Sequence, residues 1–152
     1  PMTTDYEPRL FARDDEIRML GEGLLACALP REAWTHEAHL GACLWLLTER
    51  PDVDVDAEIG GIIRRFNESV GGVNDDTQGY HETITQVYIA AVKTHLAEVG
   101  ESVALHEAVN ALLLSNRGRR DLPLRFYSKE RLFSVPARRG FVEPDLASLD
   151  LI

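Results

Sequence analysis

Three histidines and one glutamate carry the strongest chemical signal in this chain. His36 and His39 stand three residues apart in a stretch with helical periodicity, so their side chains share one face about 4.5 Å apart along the axis. That face continues through Leu40, Cys43 and Leu47 and therefore points inward. His81 opens a later helical stretch on the stripe of Ile84 and Tyr88. Two helices are thus expected to aim three imidazoles at one point, a set that suits zinc or non-haem iron with a position left open. Glu82 follows His81 about 100° further round the helix, as a ligand or as an acid/base for a metal-bound water. The same residues equally suit a metal-free polar pocket or purely structural caps. The order His36-Glu37-Ala38-His39 falls one residue short of the zinc-protease spacing HExxH.

The other candidates are weaker. Asn67 falls near the core edge of its helix, where a buried amide needs partners; Tyr80 or the histidines are the expected ones. His95 lies fourteen residues after His81, about 21 Å along a straight helix, too far to share a metal. His106 falls on the apolar stripe of Val109 and Leu113 and reads as a core histidine. Asn74, Asp76, Gln78 and Gly79 mimic the start of a calcium loop, but its last position is Thr85 where a bidentate glutamate is required. Serines lack a nucleophile elbow, and Gly21-Glu22-Gly23 lies inside a helical pattern rather than in a phosphate loop.

Positioning these residues falls to helices. The expectation is an all-α single domain over 1–152: a helical bundle of about five main helices over 14–28, 36–49, 55–70, 80–99 and 102–116, plus a short C-terminal helix opened by Ser128. The apolar spacing Ile17, Leu20, Leu24, Ala28 marks the first, and Thr35 is the expected N-cap of the second, the most apolar and so the most buried. Val55, Ile59, Ile62, Ile63, Phe66 and Val70 mark the third, with Asp52 or Asp54 as its cap. Gly60-Gly61 inside it implies close approach of another backbone. Turn chemistry fills 71–79, and Gly118 is the expected C-cap of the fifth. The expected core is Leu24, Leu40, Leu44, Leu47, Ile59, Ile63, Phe66, Ile84, Tyr88, Val109 and Leu113. Period-two runs of β-branched residues are absent, so no sheet is expected. Pro1 before Met2 reads as a tag-cleavage remnant.

Composition bounds the function. The chain has 152 residues, 45% hydrophobic and 27% charged, enough to bury a core without a metal to fold it. Its net charge of −9 argues against nucleic-acid binding. The longest dense apolar run, Ala42 to Leu47, is far short of the roughly 20 residues a membrane helix needs. With no leader and only Cys27 and Cys43, the expectation is a cytoplasmic protein with both thiols in the core. Charge is uneven: residues 117–139 hold 8 basic and 2 acidic residues. This segment, with Phe126, Tyr127, Leu132 and Phe133 interleaved, is expected to pack back on the acidic body as an irregular basic tail over 119–152. Arg125 and Arg131 are expected to turn inward at the mouth of the pocket, as ligand contacts with Asn67 and Tyr80.

Three runs, Trp34-Thr35-His36-Glu37-Ala38-His39-Leu40, Gly79-Tyr80-His81-Glu82-Thr83-Ile84-Thr85 and Phe126-Tyr127-Ser128-Lys129-Glu130-Arg131-Leu132-Phe133-Ser134, resemble a family of small bacterial proteins without an established activity. The likeness spans roughly 34–146. It implies a helical, cytoplasmic bacterial protein and transfers no catalytic residue. The residues themselves support a metal-assisted enzyme acting on a small molecule between the second and fourth helices. The alternatives are a non-catalytic module holding a small anionic ligand or a protein partner there, and a helical interaction protein, including a homo-oligomer, with an apolar interface.

Overall fold

In a computed structural model, which describes residues 7–152, the chain is all-helical, and no strand occurs among the described residues. Helices α1 (Asp14–Leu25), α2 (His36–Glu49), α3 (Val55–Ser69), α4 (Glu82–Val99) and α5 (Leu105–Leu113) form the body; α6 (Lys129–Leu132) and α7 (Val135–Arg139) are short. The proposed remnant at Pro1 lies outside the described residues.

Helix α2 is the central element. It is buried almost without interruption from Glu37 to Leu46 and packs against α1, α3, α4 and α5, which explains why its sequence is apolar on every side. Gly21 lets α1 approach it: a Cβ there would meet the Trp45 ring at 2.1 Å. Thr35 caps α2 by accepting from Ala38 N at 3.1 Å, and Asp54 caps α3 by accepting from Ala57 N at 3.3 Å. The N-terminus of α5 is capped from outside, by Asp14 of α1 accepting from His106 N at 2.9 Å.

Several boundaries differ from expectation for local reasons. Helix α1 stops at Leu25 because Cys27 adopts φ 53°. Ala28 N then bonds Gly23 O at 2.8 Å and Cys27 N bonds Leu24 O at 3.2 Å, a Schellman stop normally signalled by glycine. Helix α5 ends at Leu113, and Gly118 serves another purpose. Its Cα sits so close to α5 that a Cβ would lie 2.2 Å from Leu112 O. Gly60 and Gly61 admit no backbone; their neighbours are the Tyr80 ring and the Arg64 and Arg65 side chains.

The C-terminal segment packs on α4. Phe126, Tyr127 and Leu132 are buried against Val87 and Ala91, whereas Phe133 is exposed. Thr83 of α4 donates to Gly140 O at 2.9 Å and accepts from Val142 N at 3.2 Å. Arg139 forms a bidentate pair with Asp76, both distances 2.7 Å, and Arg138 donates to Gly79 O at 3.0 Å. Exposed pairs of this kind contribute about 0–1 kcal/mol each, so the buried aromatics dominate the docking.

A candidate ligand pocket between three helices

Helices α2, α3 and α4 do not close completely on one another. They leave a cavity of about 320 Å³, at the lower end of the range typical of ligand sites. Ile59 and Ile63 of α3, Ile84 and Ile89 of α4, and Leu40 and Ala42 of α2 make much of its wall. Trp34, just before α2, and Tyr88 of α4 add aromatic faces. The polar part of the wall is small: His36, His39, Cys43 and Thr85. No Lys, Arg, Asp or Glu lines it.

His39 is the most accessible of the polar groups. Its ring lies against Trp34, centroids 4.0 Å apart and planes tilted by 34°, and Trp34 in turn meets Phe66 edge-on. Nδ1 is 2.7 Å from Thr35 O. A carbonyl only accepts, so Nδ1 carries the proton and donates. In the neutral ring Nε2 then holds a lone pair, and Nε2 makes no hydrogen bond among the described residues. The residue is exposed to water, although protein atoms crowd around its ring. Burial lowers its pKa from 6.5 to about 4; water reaching the ring reduces the shift without reversing it, so His39 is neutral at pH 7.

His36 does different work. Its Nε2 donates to Gly118 O at 2.8 Å, and its ring meets Tyr88 edge-on with centroids 5.6 Å apart. Tyr88 donates its hydroxyl to Arg119 O. Two residues of the pocket wall thereby clamp the chain where it enters the C-terminal segment, and the close seat of Gly118 on α5 makes that carbonyl reachable. Burial, reinforced by the Arg120 charge, holds His36 below its ordinary pKa. Cys43 is buried and its thiol is pushed up to about 12 by desolvation, which leaves it without the thiolate a nucleophile requires. Cys27 and Cys43 are both free thiols.

His81 does not join the other two imidazoles. It is the N-cap of α4: Nδ1 accepts from Ile84 N at 3.1 Å and Nε2 donates to Leu132 O at 2.7 Å. Both ring nitrogens are committed, and the ring faces the C-terminal segment rather than the pocket. Helical phase puts His81 on the Ile84 stripe, but as the N-cap, with φ −132°, it stands outside that phase. No group of three or more His, Cys, Asp or Glu among the described residues is arranged to hold a metal. The zinc or non-haem iron set His36, His39, His81 is therefore not assembled, and no chemistry is routed through it.

The remaining candidates are also spent on structure. Glu82 accepts from Tyr80 OH at 2.7 Å and from Gln86 Nε2 at 2.9 Å, and Arg64 lies over the Tyr80 ring at 4.5 Å. Asn67 donates to Asn74 Oδ1 at 2.9 Å, and that oxygen also accepts from Tyr80 N at 3.0 Å. Asp75 accepts from Thr77 N and Gln78 N. The calcium-like loop is thus folded on its own donors around Gly79 at φ 83°. Arg125 and Arg131 do not reach the pocket mouth. Both are exposed; Arg125 borders a separate surface groove beside Phe126, and Arg131 donates to Glu143 O. The neighbouring Phe126 and Leu132 fill the inward positions instead. His95 Nε2 donates to Ala108 O at 2.8 Å, joining α4 to α5, and His106 bonds Asp14.

Of the pocket residues, sequence reasoning placed only His36 and His39 in the site and left out the rest, among them Trp34, Ile63, Ile84 and Tyr88. Three of these four, Ile63, Ile84 and Tyr88, belong to the expected core, and each is only half-buried because one side faces the cavity. No protein-family model, curated protein or solved structure matches the chain, so the likeness carried by the three motifs assigns no family, and the functional reading rests on this geometry.

Proposed function

We propose that this protein is a binding module for a small, largely apolar molecule, held between α2, α3 and α4 with His39 at the opening. The observation that carries this reading is a cavity of about 320 Å³ whose wall is aliphatic and aromatic apart from four polar side chains. A wall of that kind gains from burying apolar ligand surface, about 25 cal/mol per Å², while a few polar groups fix orientation. Two features favour holding over catalysis: the Cys43 thiol is kept protonated, and Glu82, the carboxylate expected from sequence as the acid/base, is bonded to Tyr80 and Gln86. His39 remains a base in position, so a proton-transfer role is the reading that stands next.

Trp34 supplies the test, because its ring lines the pocket and touches His39. Titration with cyclohexanol, which does not absorb where tryptophan does, is expected to give a saturable change in fluorescence. The change should vanish in Trp34→Phe, where Trp45 remains as the control. An unchanged spectrum up to the solubility limit would overturn the reading.

A further inference from the structure

Because His39 is pinned by one hydrogen bond, the chemistry the pocket accepts is narrower than its apolar wall alone implies. We infer that the pocket selects a neutral, largely apolar ligand carrying one hydrogen-bond donor, an alcohol or phenol in chemical class, whose O–H is accepted by the His39 Nε2 lone pair. This rests on the pocket being a ligand site, as proposed above. Nδ1 lies 2.7 Å from Thr35 O, the same carbonyl that accepts His39 N at 3.0 Å. The helix N-terminus therefore fixes both the ring and its tautomer. The only polar atom the ring has left is Nε2, which meets no donor among the described residues.

Three further polar groups of the wall are already engaged. Thr85 Oγ1 donates to His81 O at 2.8 Å, and the Tyr88 hydroxyl is turned to Arg119 O, so neither proton is available to a ligand carbonyl. His36 Nε2 is held by Gly118 O. With no Lys or Arg in the wall and His39 neutral at pH 7, a carboxylate entering the pocket would lose its hydration and meet no compensating charge. A ligand with only an acceptor would set two lone pairs against each other at Nε2. An O–H group satisfies it, and the apolar remainder fills the aliphatic space between α3 and α4.

Three six-membered-ring probes of similar size separate the cases: cyclohexanol, cyclohexanone and cyclohexanecarboxylate, titrated into the full chain at pH 7 by calorimetry. Cyclohexanol is expected to bind on the order of tenfold more tightly than cyclohexanone, with the carboxylate weaker than both. His39→Leu should bring alcohol and ketone within about twofold of each other. Nitrogen-15 NMR of the wild-type histidines gives a second readout that needs no variant: His39 should show protonated Nδ1 and bare Nε2, with Nε2 alone moving when cyclohexanol is added. Equal binding of alcohol and ketone, tighter binding of the carboxylate, or an Nε2–H tautomer would overturn the inference while leaving the pocket a ligand site. Failure of all three probes to bind would overturn the inference and the ligand-site reading together.

Discussion

Replacing His81 separates a structural histidine from a functional one. In His81→Ala, helix α4 loses its cap acceptor for Ile84 N, which typically costs about 0.5–2 kcal/mol. The Leu132 carbonyl loses its donor at 2.7 Å in a place where His81 is buried and Leu132 is 1% exposed. An acceptor stranded there costs about 1–3 kcal/mol. Together these give roughly 2–4 kcal/mol, a large part of the about 5–15 kcal/mol that holds a typical domain together. The midpoint of urea unfolding should fall accordingly, with a drop in Tm of about 5–15 °C. His81→Asn keeps a cap acceptor but is too short to reach Leu132, so it should recover about 1 kcal/mol of the loss. Chelator should change nothing in any of the three proteins. A His81→Ala variant within about 0.5 kcal/mol of wild type, or one whose stability depends on added zinc, would refute the assignment of both ring nitrogens.

Other consequences are as direct. Burial holds His36, His39 and His81 below the ordinary 6.5. The unfolded chain therefore takes up protons first as pH falls, and stability is greatest above about pH 6.5 and declines towards the folded pKa, about 4 for His39. With the accessible His39 discounted for solvent, its share is roughly 1 kcal/mol; urea midpoints at about pH 7.5 and about pH 5 should show the decline, and His39→Gln should lessen it. That comparison separates the titration from the relief of repulsion in a chain of net charge −9, and identical slopes would contradict it. Cys27 holds φ 53° at a cost of about 1–2 kcal/mol, so Cys27→Gly should raise Tm by a few degrees after lost packing, and a lowered Tm would show that the Cys27 side chain matters more than the strain. Truncation before Gly118 removes Phe126, Tyr127 and Leu132, whose burial contributes roughly 5–9 kcal/mol; the fragment should lose cooperative melting, whereas salt should shift the full chain only slightly. A truncated chain that melts like the full one would refute that weighting.

The helices were legible because their signals are local. Thr35, Asp54 and Ser128 announce α2, α3 and α6, and the spacing of Val55, Ile59, Ile62 and Phe66 reports the buried face of α3. The end of α1 was not legible, since a left-handed cysteine carries none of the signal that glycine would. Half of the site could be read: His36 and His39 share a face of α2, and that face lines the pocket. The cavity itself could not, because periodicity marks Ile63, Ile84 and Tyr88 as apolar and inward without saying whether a neighbour or a void lies opposite. His81 was misplaced because a cap residue leaves the helical phase, and Leu132, its partner, is fifty-one residues away. The basic segment lies against α4. Arg125 and Arg131 do not turn inward, because their neighbours Phe126 and Leu132 take the buried positions, and no local pattern announces that Arg138 and Arg139 meet Gly79 O and Asp76 of the distant 71–79 loop.

The central claim is that the space between α2, α3 and α4 holds a ligand. Isoleucine methyl NMR tests it most directly, because Ile59, Ile63, Ile84 and Ile89 line the cavity while Ile17 and Ile62 are packed elsewhere in the interior. On addition of cyclohexanol, saturable shifts confined to the first four methyl groups, with Ile17 and Ile62 unmoved, are the predicted result. Shifts spread evenly over all six, or none at any concentration that dissolves, would contradict the account.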